Sequence, residues 1–232
     1  MPGPFDYFFW FLSAFFQALM VWCAFKGHAL QRYLPLNLCM LATSILTVGR
    51  FVVFLKYGLL SVEYIYFYYY TEAVLTVCLY FALMNLYSQV FQELDLHKWV
   101  RAGAILLLGL TAAFSYQVVA SSPNKMTTRF VVEIGQNMNF VGLVLTYLLW
   151  GAILKLRETR TRLIQLVLAL GVYFSVFAAN YALRNLYPNL TLVWHYVPPL
   201  MALWLPMAWA YTFLKIPEDA RLAPARVAAS NR

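Results

Sequence analysis

YIYFYYYTEAVLTVCLYFALMNLY, residues Tyr64 to Tyr87, decides the fold. This run carries a single charged side chain, Glu72. Its apolar residues are continuous and do not alternate with polar ones, which excludes a half-buried strand and favours a helix. About 20 mostly apolar residues suffice to cross the hydrocarbon core of a bilayer. The run is long enough.

Six more stretches share this character. The first span is predicted from Phe5 to Phe25 and the second from Leu34 to Leu55. The fourth runs from Ala102 to Ala120, the fifth from Phe130 to Leu154, the sixth from Leu163 to Leu186 and the seventh from Leu192 to Leu214. The expected fold is therefore all-α, a bundle of seven transmembrane helices over residues 1–214. A flexible tail is expected over residues 215–232. The polar segment Phe91 to Arg101 reads as an interfacial helix end. The opening MPGPFDYFFWF has no basic region before its apolar run, so a cleaved signal peptide is not expected.

Composition agrees. The chain has 232 residues, of which 63% are hydrophobic and 11% charged. Soluble domains carry about 25% charged residues. Outside the spans the segments are short, and they leave no room for a kinase, nucleotide-binding or DNA-binding domain. The net charge of +8 is a matter of orientation. With seven alternating spans, one side collects Lys26, Arg32, Lys98, Arg101, Lys155, Arg157, Arg160, Arg162, Lys215, Arg221, Arg226 and Arg232. The other collects Arg50, Lys56, Lys125, Arg129 and Arg184. Basic residues favour the cytoplasm, so the N-terminus is expected outside and the C-terminus inside, in a cell inner (plasma) membrane. The loop KLRETRTR, Lys155 to Arg162, serves this orientation and attracts anionic lipid, or docks a cytoplasmic partner.

Charged groups at membrane depth cost about 2.5–3.5 kcal/mol or more unless they face protein or water. They are the most informative positions. On helical spacing, Tyr69, Glu72, Thr76, Tyr80 and Tyr87 share a stripe on the third span. Thr43, Thr47, Arg50 and Tyr57 share one on the second, and Asp6, Ser13 and Gln17 on the first. The fifth contributes Glu133, Gln136, Asn137 and Tyr147. The sixth contributes Tyr173, Asn180, Arg184 and Tyr187. His195 precedes Pro198 and Pro199 on the seventh. The expected site is an outward-facing polar cavity lined by Arg50, Glu72, Glu133, Asn137, Asn180, Arg184 and His195. The competing expectation is that these charges merely pair to hold helices in register. The tyrosine run reads as an interfacial aromatic belt, or as an aromatic wall for a ligand. The three prolines of the seventh span read as packing irregularities or as a hinge.

Several chemistries drop out. The only lysine of the seventh span, Lys215, sits at its end, so a retinal Schiff base is not expected. His28, His97 and His195 split between the two faces and form no metal site. No HExxH, GxSxG or phosphate-binding loop occurs. Cys23, Cys39 and Cys78 are isolated and read as buried thiols. No cofactor, metal, nucleic-acid partner or enzymatic activity is expected. The partners expected are the lipid bilayer, a membrane or cytoplasmic protein, and a small-molecule ligand.

The run Tyr64 to Tyr87 resembles that of small uncharacterised seven-span bacterial proteins. The bundle as a whole resembles the seven-span sensory modules of bacterial membrane histidine kinases, with the kinase part absent. That resemblance implies a sensor or receptor-like module acting through a partner. A small permease or channel, with Glu72 and Glu133 as ion sites, and an assembly subunit of a membrane complex are the alternatives.

Overall fold

A computed structural model describes residues 4–26, 29–58, 61–92, 97–120, 126–187, 189 and 191–221. Seven helices make up almost all of it: α1 (Pro4–Lys26), α2 (Leu34–Tyr57), α3 (Val62–Val90), α4 (His97–Ala120), α5 (Met126–Lys155), α6 (Thr161–Leu186) and α7 (Thr191–Lys215). All seven are long and apolar enough to cross a membrane, and no strand is present among the described residues. This fits a multi-pass membrane protein. The bundle's outer surface is apolar, with Phe11, Trp22, Ile45, Leu106 and Leu154 all largely exposed.

Local chemistry sets several boundaries. Ser61 caps α3, its hydroxyl accepting from the Tyr64 amide at 3.1 Å. Pro35 sits in the first turn of α2, where its missing N–H costs nothing. The α4 helix starts at His97, so Lys98 to Arg101 form its first turn. The sequence boundary at Ala102 falls short because that turn is polar.

The helices do not pack in simple chain order. Contacts close a ring running α1, α2, α3, α5, α6, α7 and back to α1. The α4 helix lies outside this ring, against α5 and α3. Tyr80 of α3 donates to the Ala104 carbonyl of α4 at 2.8 Å. The α5–α6 seam is tight. A methyl group on Gly142 would meet the buried Phe174 ring at 2.5 Å, and one on Gly171 would meet Thr146 at 3.0 Å. Hydroxyls along the helices bond the carbonyl one turn back, as Thr146 does to Gly142 and Ser175 to Gly171, both at 2.7 Å.

The bundle has two unlike ends. One carries the starts of α1, α3, α5 and α7, and we call it the Pro4 end. At the opposite, Lys26 end, the core is filled by Met20, Tyr33, Leu36, Leu83, Leu86, Leu166, Trp209 and Phe213, all nearly inaccessible. Charged groups bind this end together. Arg162 is only 5% exposed, and it donates to the Ile216 carbonyl at 2.8 Å and to Glu218 at 2.7 Å. Arg32 holds the other oxygen of Glu218 at 2.9 Å, and Tyr33 donates to that same oxygen at 3.3 Å. The Thr161 amide donates to the Ala220 carbonyl at 3.1 Å. Where the sequence reading begins a flexible tail at Lys215, the chain as far as Arg221 is therefore fastened across α2 and α6.

The basic loop divides in the same way. Lys155 and Arg157 are exposed. Arg160 instead turns inward, donating to the Gln89 carbonyl at 2.8 Å and, through Nε, to Glu158 at 2.9 Å. Burial works to raise the Glu158 carboxyl, but the hydrogen bonds and charge of Arg160 outweigh it and hold the group below its ordinary value. Burial, reinforced by the Glu218 charge, pushes the Tyr33 hydroxyl up to about 12.

Candidate functional site

A cavity of about 210 Å³ occupies the other part of the ring, between α1, α2, α3, α6 and α7. Phe9 and Trp10 mark it near the Pro4 end of α1. Gln17, Cys39, Leu79, Tyr173 and Pro206 are the lining residues farthest from that end on their respective helices. Beyond them the packed core begins.

Arg50 is the cation of its described lining. Its Nε donates to the Thr71 hydroxyl at 2.8 Å. One terminal nitrogen, Nη2, donates to Glu72 Oε2 at 2.9 Å and to the Tyr68 carbonyl at 3.4 Å. The guanidinium carbon lies 4.5 Å from the centroid of the Tyr68 ring, within cation–π range. The Arg50 and Glu72 side chains are 14% and 26% exposed. The ion pair is therefore shielded from the surroundings but not fully enclosed. The Arg50 guanidinium and the Glu72 carboxylate offset one another's charge across this contact.

Polar groups of α1 and α2 extend this wall. Gln17 donates to Ser13 at 2.8 Å, and Thr47 meets Gln17 Oε1 at 3.3 Å. Thr43 and Thr47 also bond their own helix at Cys39 and Thr43, both at 2.7 Å. The facing wall is α7, with Pro198, Pro199, Ala202, Leu205 and Pro206. Proline has no N–H to donate one turn back. Pro206 thus deprives the Ala202 carbonyl of its helical donor, and both residues line the cavity.

The structure divides the seven residues expected at one site. Arg50 and Glu72 meet in the cavity. Glu133 and Asn137 do not line it. They lie on α5 on the α4 side, where Asn137 donates to Ser115 at 2.9 Å. Asn180 is buried outside the cavity lining, and its Oδ1 has no partner among the described residues. Arg184 and His195 fall within α6 and α7, but their side chains lie outside the described residues, as do those of Asp6, His97 and Trp194 and the whole of His28. Of the polar stripe on α3, Glu72 and Thr76 reach the cavity. Tyr80 and Tyr87 turn to other helices, Tyr87 donating to the Leu145 carbonyl of α5. Among the described residues no cluster of metal ligands forms.

Sequence reasoning offered the tyrosine run as a wall only as a whole, did not single out Tyr64 and Tyr68 within it, and missed Thr71. The tyrosine run divides by helical phase. Tyr64 and Tyr68, one turn apart, line the cavity. Tyr66 and Tyr70, also one turn apart, form a separate ring pair with centroids 6.4 Å apart, and Tyr70 is exposed. The run is thus a cavity wall on one face and a partly exposed aromatic pair on another. A four-residue spacing from the charged Glu72 back through Tyr68 to Tyr64 was the available signal.

No family model matches the chain, and neither a curated protein nor a solved structure does.

Proposed function

We propose that the chain is a non-enzymatic sensor or receptor-like module of the inner (plasma) membrane. Its N-terminus lies outside, its C-terminus lies in the cytoplasm, and its cavity takes up a small ligand from the outer side. It acts through a membrane or cytoplasmic partner protein. One observation carries this reading: the Arg50–Glu72 cavity stops at a densely packed core toward the Lys26 end, which opposes a polar path on that side. The excess of basic residues at the Lys26 end supports the orientation. The architectural resemblance to sensory modules of histidine kinases supports the role. A permease needs a polar path that continues to the cytoplasm, and the filled core opposes one.

Site-directed labelling tests the reading. Thr47 lines the cavity. In a chain with Cys23, Cys39 and Cys78 replaced by alanine, Thr47→Cys should react with a membrane-impermeant thiol reagent added outside and not with reagent confined inside. Reaction from both sides would establish a transport path instead. Protection from both sides would defeat the receptor reading.

A further inference from the structure

The free hydrogen-bonding capacity of the cavity names the chemistry of its occupant, on the reading that the cavity binds a ligand. Among the described lining residues the charged groups are one cation, Arg50, and one anion, Glu72. Each is only half used by the other. Arg50 spends Nε and Nη2 on Thr71, Tyr68 and Glu72, and no acceptor meets Nη1 among the described residues. Glu72 receives that bond on Oε2, and no donor meets Oε1 among the described residues. The pair therefore presents a free pair of N–H donors beside a free carboxylate oxygen.

The remaining polar groups fall into the same two classes. The hydroxyls of Thr43, Thr47 and Thr76 direct their hydrogens to carbonyls one turn back, which leaves lone pairs for the cavity. The Ala202 carbonyl freed by Pro206 is another acceptor. On the donor side, the hydroxyls of Tyr64, Tyr68 and Tyr173 make no hydrogen bond among the described residues. The Trp10 and Phe177 rings also line the cavity, and aromatic faces attract an organic cation.

Net charge selects between the candidates. The described lining is neutral, so a lone anion or a lone cation leaves an unmatched charge in a poorly solvated space. A molecule with both charges leaves none. Size limits it further, because about 210 Å³ falls below the roughly 300–1,000 Å³ of pockets for drug-sized ligands. We infer that the cavity binds a small zwitterion of amino-acid size. Its carboxylate meets Arg50 Nη1 and the tyrosine hydroxyls. Its ammonium meets Glu72 Oε1, the Ala202 carbonyl and the aromatic faces.

The full chain in detergent, followed by thermal unfolding and tryptophan fluorescence, tests this with a matched panel. The panel holds the common amino acids, valine's amine (isobutylamine) and deaminated acid (isovalerate), tyrosine's amine (tyramine) and deaminated acid (3-(4-hydroxyphenyl)propionate), and glucose. At least one amino acid should bind saturably, and its amine and acid counterparts at least tenfold more weakly. Glu72→Gln and Thr71→Val should each weaken it at least tenfold, Thr71→Val without removing a charge. Equal binding of a bare amine, a bare acid or glucose overturns the zwitterion and keeps the receptor reading. Silence across the panel, with Thr47→Cys still labelled from outside, does the same. Silence with Thr47→Cys protected overturns both.

Discussion

The two ends of this bundle handle charge in opposite ways. At the Lys26 end, Glu218 is held by Arg32 and Arg162 and touched by Tyr33, and both of its oxygens are engaged. Around it the core is filled. In the cavity, among the described residues, Glu72 has one engaged oxygen and Arg50 has an unused nitrogen. Both arrangements satisfy the electrostatics, but only the second keeps bonding capacity for something outside the chain. A fully satisfied polar network holds structure, and a partly satisfied one beside empty volume is a place for a ligand.

Substitutions can break this contrast. Trp209 is fully buried at the packed end and donates to the Leu166 carbonyl at 3.3 Å. Trp209→Ala should cost about 3–5 kcal/mol, measured by unfolding in detergent, and a loss under about 1 kcal/mol would mean that this end is not well packed. Arg50→Met leaves Glu72 without its partner and should cost about 2 kcal/mol. Replacing Glu72 by methionine as well should restore most of it, since an apolar pair of similar shape carries no desolvation cost. Failure of the double variant to recover would show that the pair holds the helices in register.

Glu218→Gln should have the smallest effect, about 1 kcal/mol, because the carboxylate is about a third exposed. It also alters the alkaline behaviour. Tyr33 keeps its proton up to about 12 in the folded chain, against about 10 for an ordinary tyrosine. Between these values the unfolded chain loses the proton first, so stability falls as pH rises from about 10 to about 12. Removing the Glu218 charge should make that fall shallower in a pH series of unfolding temperatures. An unchanged slope would detach Tyr33 from Glu218.

The spans were legible because long apolar runs have few alternatives to a helix. Which residues share a face was legible too: Thr43, Thr47 and Arg50 do line one cavity wall. Which neighbour each face meets was not. Glu133 and Asn137 share a face of α5, but α4 sits outside the ring and takes that face away from the cavity. Helical periodicity fixes phase within one helix and says nothing about the order of helices around a ring. The tyrosine run reads as a belt or as a wall for a related reason, since a dense aromatic stretch hides which phase of it turns inward. The prolines of α7 read as irregularities or as a hinge, and not as a wall, because the cavity that gives them a wall to form comes from four other helices.

Pro206 lies nine residues before Lys215, the last residue of α7. At 1.5 Å per residue this is a lever arm of about 13 Å. A rotation of 10° at the proline swings the far tip by about 2 Å, comparable to the full length of the Arg162–Glu218 contact, which is 2.7 Å. A small angular displacement at the cavity wall would thus move the Lys215 tip by a distance comparable to that ion pair at the opposite end.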